Sequence, residues 1–266
     1  GTIAACRAKM LAADGRCKTF DASADGFIRG EGCGVLVLRR LSEAQAGRDP
    51  ILAVIRGTAV GQDGASGGLT VPNASAQQDV IRRALADAHV SACEVGYIEA
   101  HGTGTSLGDP IEVRALSAVF REQRRKDQPL RLGSVKTNIG HLESASGVAG
   151  LIKVILSLQH SEIPPHLHLR QVNPDIPLAE IPAEIPTCAM PWARGSSRRV
   201  AGVSSFGASG TLAHVVVEEP PADEAVSSAV SKIADSYLFC VSARDERALG
   251  ELIRRYPDTR YAADAR

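Results

Sequence analysis

Apolar segments of two kinds alternate along the chain, and this alternation constrains the fold more than any other feature. Short runs rich in β-branched and aliphatic residues predict strands, at 35–38, 51–55, 95–100, 131–136, 200–206 and 213–218. Apolar residues at helical spacing predict helices, at 77–89, 109–125 and 145–160. Asp109 and Pro110 would begin the second helix, with Glu112 capping its first turn. This order predicts an α/β layered fold, a mixed sheet with helices and buried central strands.

Composition excludes several classes of protein. The 266 residues carry 30 Lys and Arg against 30 Asp and Glu, and 44% are hydrophobic, so we expect neither a disordered chain nor a nucleic-acid partner. The longest apolar helical segment contains Lys153, so we expect no membrane partner. The 6 cysteines are scattered without a CxxC pair, which predicts reduced thiols, a cytoplasmic protein and no metal site. Gly1 stands where an initiator Met would be and no signal peptide follows, so we expect a fragment that begins inside a fold.

Two loops rich in glycine and threonine each place a histidine after a predicted strand. Residues 99–110 contain His101, and residues 134–141 contain His141. In open α/β folds ligands bind where strands end, glycine lets the backbone approach a ligand closely, and histidine exchanges protons near neutral pH. A single histidine is more often structural than functional. Two histidines in loops of the same type therefore predict a site.

Two other patterns have weaker claims to a function. Residues 64–68 match the GxSxG elbow of serine hydrolases around Ser66, but that elbow joins a strand to a helix and no helical pattern follows here. His166 and His168 have a spacing that could hold a metal ion, but acidic and cysteine partners are missing beside them. We therefore interpret the first as a chance match and the second as a surface pair.

Five longer motifs resemble those of the β-ketoacyl synthases, specifically the ketosynthase domain of a type I polyketide synthase, which has the thiolase-like fold. The motifs lie at 21–26 (DASADG), 29–32 (RGEG), 99–105 (EAHGTGT), 136–141 (KTNIGH) and 202–207 (GVSSFG). The resemblance implies three parts of the chain. These are the end of the N-terminal ketosynthase half (1–50), the C-terminal thiolase-like half (51–219) and the start of the linker to an acyltransferase domain (220–266).

The resemblance also implies a reaction and roles for particular residues. In this family a cysteine takes up an acyl chain as a thioester, and a malonyl-type unit on an acyl carrier protein loses carbon dioxide and attacks it. By motif match, the catalytic residues are His101, His141 and Lys136, with Lys136 either acting as a fixed positive charge or simply pairing with Glu143. The residues expected to bind substrate or the phosphopantetheine arm are Thr103, Thr105, Phe206, Gly207 and Ala208. Glu112 and Glu143 are expected to give structural support.

Three departures from the family pattern concern the nucleophile and the glycine-rich turn. The Asp-Thr-Ala-Cys-Ser-Ser elbow that carries the family's nucleophile does not occur in the chain, and Cys33 lies in a predicted strand, where a buried thiol acts as a small hydrophobe. Ala208 stands where the family commonly has Phe, and Leu212 where it has Asn. The chain is thus expected to carry the histidine part of the active site without the cysteine.

From these observations we expect part of a polyketide-synthase ketosynthase that does not condense substrates alone. The expected partners are an acyl carrier protein, an acyltransferase domain, and either the missing N-terminal ketosynthase half or a homodimer partner. No cofactor is expected to bind directly, since the carrier protein delivers the phosphopantetheine. The alternatives are a non-catalytic remnant or docking module that binds carrier protein or a ketosynthase partner and, more remotely, a serine hydrolase built on Ser66.

Overall fold

A computed structural model describes residues 2–65, 67–68, 71–122 and 124–222. The predicted strand at 237–241 and helix at 244–255, and also Ser66, lie outside the described residues. One compact unit of the chain ends at Pro221. The division into three parts at residues 50 and 219 stays a prediction.

The described part of the chain contains six α-helices and eight strands, besides three short 3-10 helices. The helices are α1 (Thr2–Arg7), α2 (Leu41–Gly47), α3 (Ala74–Ala88), α4 (Gly108–Phe120), α5 (Lys136–Ile139) and α6 (Ser146–His160). The strands are β1 (Val54–Gln62), β2 (Val95–Glu99), β3 (Leu130–Gly133), β4 (Glu162–Ile163), β5 (Ala183–Glu184), β6 (Met190–Pro191), β7 (Val200–Phe206) and β8 (Thr211–Glu218).

Six of these strands form one mixed sheet in the order β1-β8-β7-β2-β3-β5. β1 and β8 pair antiparallel, as do β8 and β7, whereas β7, β2, β3 and β5 are parallel neighbours. Parallel strands need crossover connections, and the segments that hold α4 and α6 supply them. The predicted α/β class with a mixed sheet and helices is confirmed.

Helices cover both faces of this sheet, so the core has two parts. On one face α3 and α4 pack against the strands through Val80, Ile81 and Leu116. On the other face α6 packs through Val154 and Leu158. Because neighbouring side chains of a strand point to opposite faces, Tyr97 joins the α6 side while Ile98 joins the α3 and α4 side.

The parallel pairing brings the ends of three strands to one edge of the sheet. β2 ends at Glu99, β3 at Gly133 and β7 at Phe206, and all three run in the same direction. The loops that follow them contain His101, His141 and the glycine-rich turn. The topology therefore assembles the two histidine loops as neighbours, which their sequence positions had indicated.

The structure contradicts the strand predicted at 35–38. This segment forms no strand within the described part of the chain, and Val35 and Val37 are 82% and 95% exposed. Cys33, predicted to be a buried thiol in a strand, is exposed as well. A strand needs a neighbour for its backbone hydrogen bonds, and apolar sequence alone does not supply one. The other predictions within the described residues correspond to elements with shifted ends. The strand predicted at 51–55 shares only its last two residues with β1, and α4 ends at Phe120 rather than 125.

Gly57 makes the close packing of β1 on α3 possible. A Cβ atom added there would lie 2.3 Å from the backbone nitrogen of Ala88 and 2.7 Å from the carbonyl oxygen of Ala84. Gly57→Ala is therefore expected to lower the free energy of unfolding by about 1–3 kcal/mol in urea denaturation, because the helix backbone must move. Gly195→Ala is the control, since nothing lies within 4 Å of its added Cβ. Equal stability of the two variants would contradict the prediction.

Candidate active site

The three loops at the edge of the sheet line a cavity of about 780 Å³ together with other segments of the chain, and this volume is typical of small-molecule sites. Nine of the residues singled out in the sequence line it, namely His101, Thr103, Thr105, Glu112, His141, Glu143, Phe206, Gly207 and Ala208. Lys136 is buried behind them. The structure thus brings the sequence-predicted site residues together, while their chemical roles stay predictions.

The two imidazole rings stand nearly perpendicular, with their centroids 5.5 Å apart. The Nδ1 atom of His101 accepts a hydrogen bond from the backbone N–H of Phe206 at 3.2 Å, and that of His141 accepts one from the N–H of Glu143 at 2.9 Å. An Nδ1 that accepts leaves the proton of a neutral ring on Nε2. Neither Nε2 has a hydrogen-bond partner among the described residues. Both rings can therefore donate from Nε2 in the cavity that they line.

Burial keeps both histidines neutral. It lowers the pKa of His101 well below its ordinary value, and the positive charge of Lys136 lowers it further, as does that of His141 whenever His141 is protonated. The pKa of His141 falls to about 4, again through burial first and the charge of Lys136 second. At neutral pH the site therefore contains two uncharged N–H donors rather than two imidazolium ions.

Lys136 binds the backbone of the loop that contains His101. Its ammonium group donates to the carbonyl oxygen of His101 at 2.5 Å, and burial lowers its pKa. The predicted pairing of Lys136 with Glu143 is wrong. Glu143 accepts instead from Arg29 at 2.6 Å, in a solvent-exposed pair, whereas Lys136 lies inside the fold. The alternative interpretation of Lys136 as half of that ion pair is therefore also wrong.

Glu112 shapes the first histidine loop from inside α4. Its carboxylate accepts from the backbone N–H groups of His101 and Gly102, at 2.7 and 2.8 Å. The predicted capping role is therefore wrong, because both oxygens bind the loop instead of the helix start. Burial raises the pKa of this carboxyl group, while the two N–H donors oppose the shift.

Asp109 lines the cavity and supports its loops, a placement that sequence reasoning missed. The sequence predicts it only as the start of α4, whereas the helix begins at Gly108 and Asp109 is 1% exposed. Its carboxylate accepts from the backbone N–H groups of Phe20 at 2.8 Å and Gly104 at 3.1 Å. Burial raises its pKa to about 7. Nothing local in the sequence indicates the contact with Phe20, which is 89 residues away.

Thr103 and Thr105 place two hydroxyl groups on the cavity wall. Their Oγ1 atoms are 3.2 Å apart, and that of Thr105 also accepts from the N–H of Gly108 at 3.1 Å. A hydroxyl can donate and accept at once, so the pair can bind an amide group of a ligand.

The third loop combines an aromatic contact with a tight turn. The ring of Phe206 lies with its centroid 5.4 Å from that of His101. The N–H of Gly207 donates to the carbonyl oxygen of Thr211 at 2.7 Å, which closes the turn around Ala208. Leu212, which stands in place of the family's Asn, is 1% exposed and also lines the cavity.

The interpretation of His166 as a surface residue is wrong. It is 4% exposed, its Nε2 lies 3.0 Å from the carbonyl oxygen of Thr19, and its ring stacks on Phe20 at 5.4 Å. Among the described residues, no group of three or more His, Cys, Asp and Glu side chains could hold a metal ion. In the same ranges no helix is long and apolar enough to cross a membrane.

Three consecutive sequence families match the chain. They are described as "Beta-ketoacyl synthase, N-terminal domain" over residues 1–44, "Beta-ketoacyl synthase, C-terminal domain" over 52–170 and "Ketoacyl-synthetase C-terminal extension" over 173–265. These matches follow each other in chain order.

Curated relatives and solved structures agree with these matches. The chain is 50% identical to polyketide synthase GfsA of Streptomyces halstedii and 52% to erythronolide synthase EryA3 of Saccharopolyspora erythraea, with 94% and 93% of the chain aligned. It spans only 3% and 8% of those two proteins.

Among solved structures, a ketosynthase from module 6 of the bacillaene synthase of Bacillus subtilis 168 aligns with a TM-score of 0.79 at 38% identity. The oxazolomycin ketosynthase domain OzmH KS7 of Streptomyces albus JA3453 aligns with a TM-score of 0.78 at 42% identity. The alignments cover 97% and 82% of this chain, and 45% and 38% of those chains. The chain therefore belongs to the β-ketoacyl synthases and corresponds to the C-terminal portion of a polyketide-synthase ketosynthase with the thiolase-like fold.

Proposed function

We propose that these residues supply the two-histidine part of a ketosynthase that extends an acyl chain by decarboxylative Claisen condensation. The observation that carries this proposal is the pair of neutral imidazoles, each with Nδ1 accepting a backbone N–H and Nε2 left to donate in one cavity. Two such donors suit an oxygen that becomes negatively charged during a reaction.

The proposed chemistry needs no oxidant or reductant. The bond between C2 of a malonyl thioester and its carboxylate breaks, carbon dioxide leaves, and the electron pair forms an enolate whose oxygen accepts from the Nε2 groups of His101 and His141. The enolate carbon then attacks an acyl thioester on a cysteine, and the cysteine leaves as a thiolate. Lys136 fixes the His101 backbone and favours neutral imidazoles by its charge.

The malonyl unit is proposed to arrive on the phosphopantetheine arm of an acyl carrier protein. The arm contains amide groups, and the paired hydroxyls of Thr103 and Thr105 on the cavity wall can bind one of them. The turn at Phe206, Gly207 and Ala208 would border the acyl chain, with the small side chain of Ala208 leaving more room there than the family's Phe. An acyltransferase domain is proposed as the source of the extender unit.

The nucleophilic cysteine is proposed to come from a ketosynthase segment that is not among these 266 residues. No cysteine is found among the described residues that line the cavity. An apolar groove of about 600 Å³ is lined in part by Gly34, Val148 and Ile152. Gly34 directly precedes Val35 in the chain, and Val35 and Val37 are both exposed. We propose that this surface packs against the rest of the N-terminal ketosynthase half, because apolar patches of this kind mark interfaces.

The test combines this chain with a companion polypeptide that carries the cysteine elbow. We expect the two to co-purify and to condense an acyl thioester with malonyl-carrier protein, whereas the 266-residue chain alone forms no β-ketoacyl product. Mass spectrometry of the chain alone after exposure to the acyl thioester should detect no stable acyl-cysteine. Acylation of one of its own cysteines would overturn the assignment of the nucleophile. Co-purification without condensation would favour a docking module.

A further inference from the structure

A buried polar cluster lies behind the two histidine loops, on the α6 side of the sheet. The carboxylate of Glu99, which is 1% exposed, accepts from the hydroxyl of Tyr97 at 2.7 Å and pairs with the ammonium group of Lys153 at 2.9 Å. Its other oxygen accepts from the backbone N–H of Val135 at 2.5 Å. The carboxylate thus has partners on both oxygens, as a buried charge requires.

Two glycines make room for this cluster. A Cβ atom on Gly150 of α6 would lie 3.0 Å from Cγ of Glu99. A Cβ atom on Gly133 at the end of β3 would lie 2.5 Å from the hydroxyl oxygen of Tyr97 and 3.3 Å from Nζ of Lys153. Side chains larger than glycine at either position would push the polar groups apart. The close packing against both glycines indicates that the side chains of the cluster have little freedom to move.

The cluster joins the two histidine loops at their starts. Glu99 is the last residue of β2, two positions before His101. Val135 directly precedes Lys136, and the same short segment leads on to His141. One carboxylate therefore holds the end of one catalytic loop and the beginning of the other, while Lys153 ties both to α6.

We propose that Glu99 is a positioning residue for the condensation, held by Lys153 and Tyr97, and that it fixes the spacing between His101 and His141. This inference rests on the proposed function. The enolate oxygen has to accept hydrogen bonds from Nε2 of His101 and Nε2 of His141 at once. Misplacement of a reacting group by about 1 Å can cost about a hundredfold in rate. A link between the loops controls that distance directly.

The negative charge of Glu99 has a second effect on the site. Burial lowers the pKa of Lys136, and the charge of Glu99 opposes this shift more than any other charge, followed by Glu112, Cys17 and Asp109. Loss of the charge therefore weakens the protonated state of Lys136, whose ammonium group binds the His101 carbonyl. Both effects act on the same loop.

The first variant is Glu99→Gln, which keeps the shape of the side chain but replaces one acceptor oxygen by an NH2 donor. That donor must face either the Val135 N–H or the Lys153 ammonium group, and both are donors themselves. The matched control is Glu219→Gln, which breaks another buried ion pair, with Arg199 at 2.6 Å, away from the cavity. A structural role alone predicts the same behaviour of both variants.

The first readout needs no activity. In the 266-residue chain with labelled histidines, we expect Glu99→Gln to shift the imidazole ¹⁵N signals of both His101 and His141 and Glu219→Gln to leave them in place. If Glu99→Gln does not fold, Gly150→Ala serves instead, because it displaces Glu99 without removing its charge. Unchanged signals of both histidines in the folded variant would overturn the inference.

The second readout uses the complex with the cysteine-bearing polypeptide. We expect Glu99→Gln to lower kcat about tenfold to a hundredfold with little change in KM for the malonyl thioester, since the contacts of Thr103 and Thr105 remain. Lys153→Arg keeps the charge and should lose less activity than Lys153→Met. A kcat equal to that of Glu219→Gln would overturn the inference. A wild-type complex that does not condense would instead contradict the proposed function, while the histidine signals still decide the role of Glu99.

Discussion

In the complex with the cysteine-bearing polypeptide, His101→Ala is expected to lower the rate of malonyl-thioester decarboxylation about 10²- to 10³-fold. This loss is typical for the removal of one oxyanion donor. The substitution removes one of the two Nε2–H groups and also leaves the backbone N–H of Phe206 without its acceptor. His141 retains its own Nδ1 contact with the N–H of Glu143, so the second donor stays in place. Release of carbon dioxide from malonyl-carrier protein measures the effect.

Two further variants separate the donor from the general packing of the ring. His101→Gln retains an N–H donor and should recover part of the rate that alanine loses, although the shorter side chain places the donor differently. His89→Asn is the surface control, because His89 is exposed at the end of α3 with a positive φ that Asn tolerates. A His101→Ala rate within threefold of the control would contradict the enolate-stabilising role.

The parts of the fold that the sequence predicts are those with a local pattern. The apolar face of α6 and the runs of β2, β7 and β8 have the periods of their secondary structure, so their residues indicate them directly. The segment at 35–38 has an equally good strand pattern, yet it is exposed. The two cases differ because β2, β7 and β8 each pair with a neighbouring strand, whereas 35–38 has no such partner in the described ranges. A pattern within one segment does not specify whether a partner strand exists.

The residues of the site also fall into two groups, those that a local sequence pattern indicates and those that it does not. His101 and His141 were predictable because each follows a strand in a distinctive loop. Asp109 and Glu99 were not, because their partners are backbone N–H groups far away in sequence, 89 and 36 residues from them. One signal was present nevertheless. Lys153 interrupts an otherwise apolar helix face, and a buried lysine requires an acidic partner such as the glutamate that ends β2.

Acid is expected to destabilise the fold between about pH 6.5 and pH 4, in part through two buried histidines that do not line the cavity. Burial lowers the pKa of both His166 and His214 from 6.5 to about 4. Nδ1 of His166 and Nε2 of His214 have no hydrogen-bond partner among the described residues. A proton added to either ring would therefore be buried without an acceptor, which accounts for the direction of both shifts.

The sign of the effect follows from which state binds the proton. Above about pH 6.5 both rings are neutral in the folded and the unfolded chain, so they contribute no pH dependence to the free energy of unfolding. Between pH 6.5 and 4 the unfolded chain binds protons that the folded chain does not, and stability falls as the pH falls. Each ring contributes up to about 1.4 kcal/mol per pH unit, or about 3 kcal/mol over the whole range.

Asp109 acts in the opposite direction, so the contribution of a histidine has to be isolated with a variant. The pKa of Asp109 is raised to about 7 in the fold, which makes the folded chain bind a proton first and gain stability as the pH falls. We therefore expect His214→Gln to reduce the slope of the unfolding free energy against pH by about 1.4 kcal/mol per unit relative to wild type. Urea denaturation at intervals from pH 7.5 to pH 4.5 measures this slope, with His89→Asn as control. Since the comparison concerns slopes, a variant that is less stable at every pH still tests it, and a slope equal to that of wild type would show that His214 takes up its proton in the folded chain as readily as in the unfolded one.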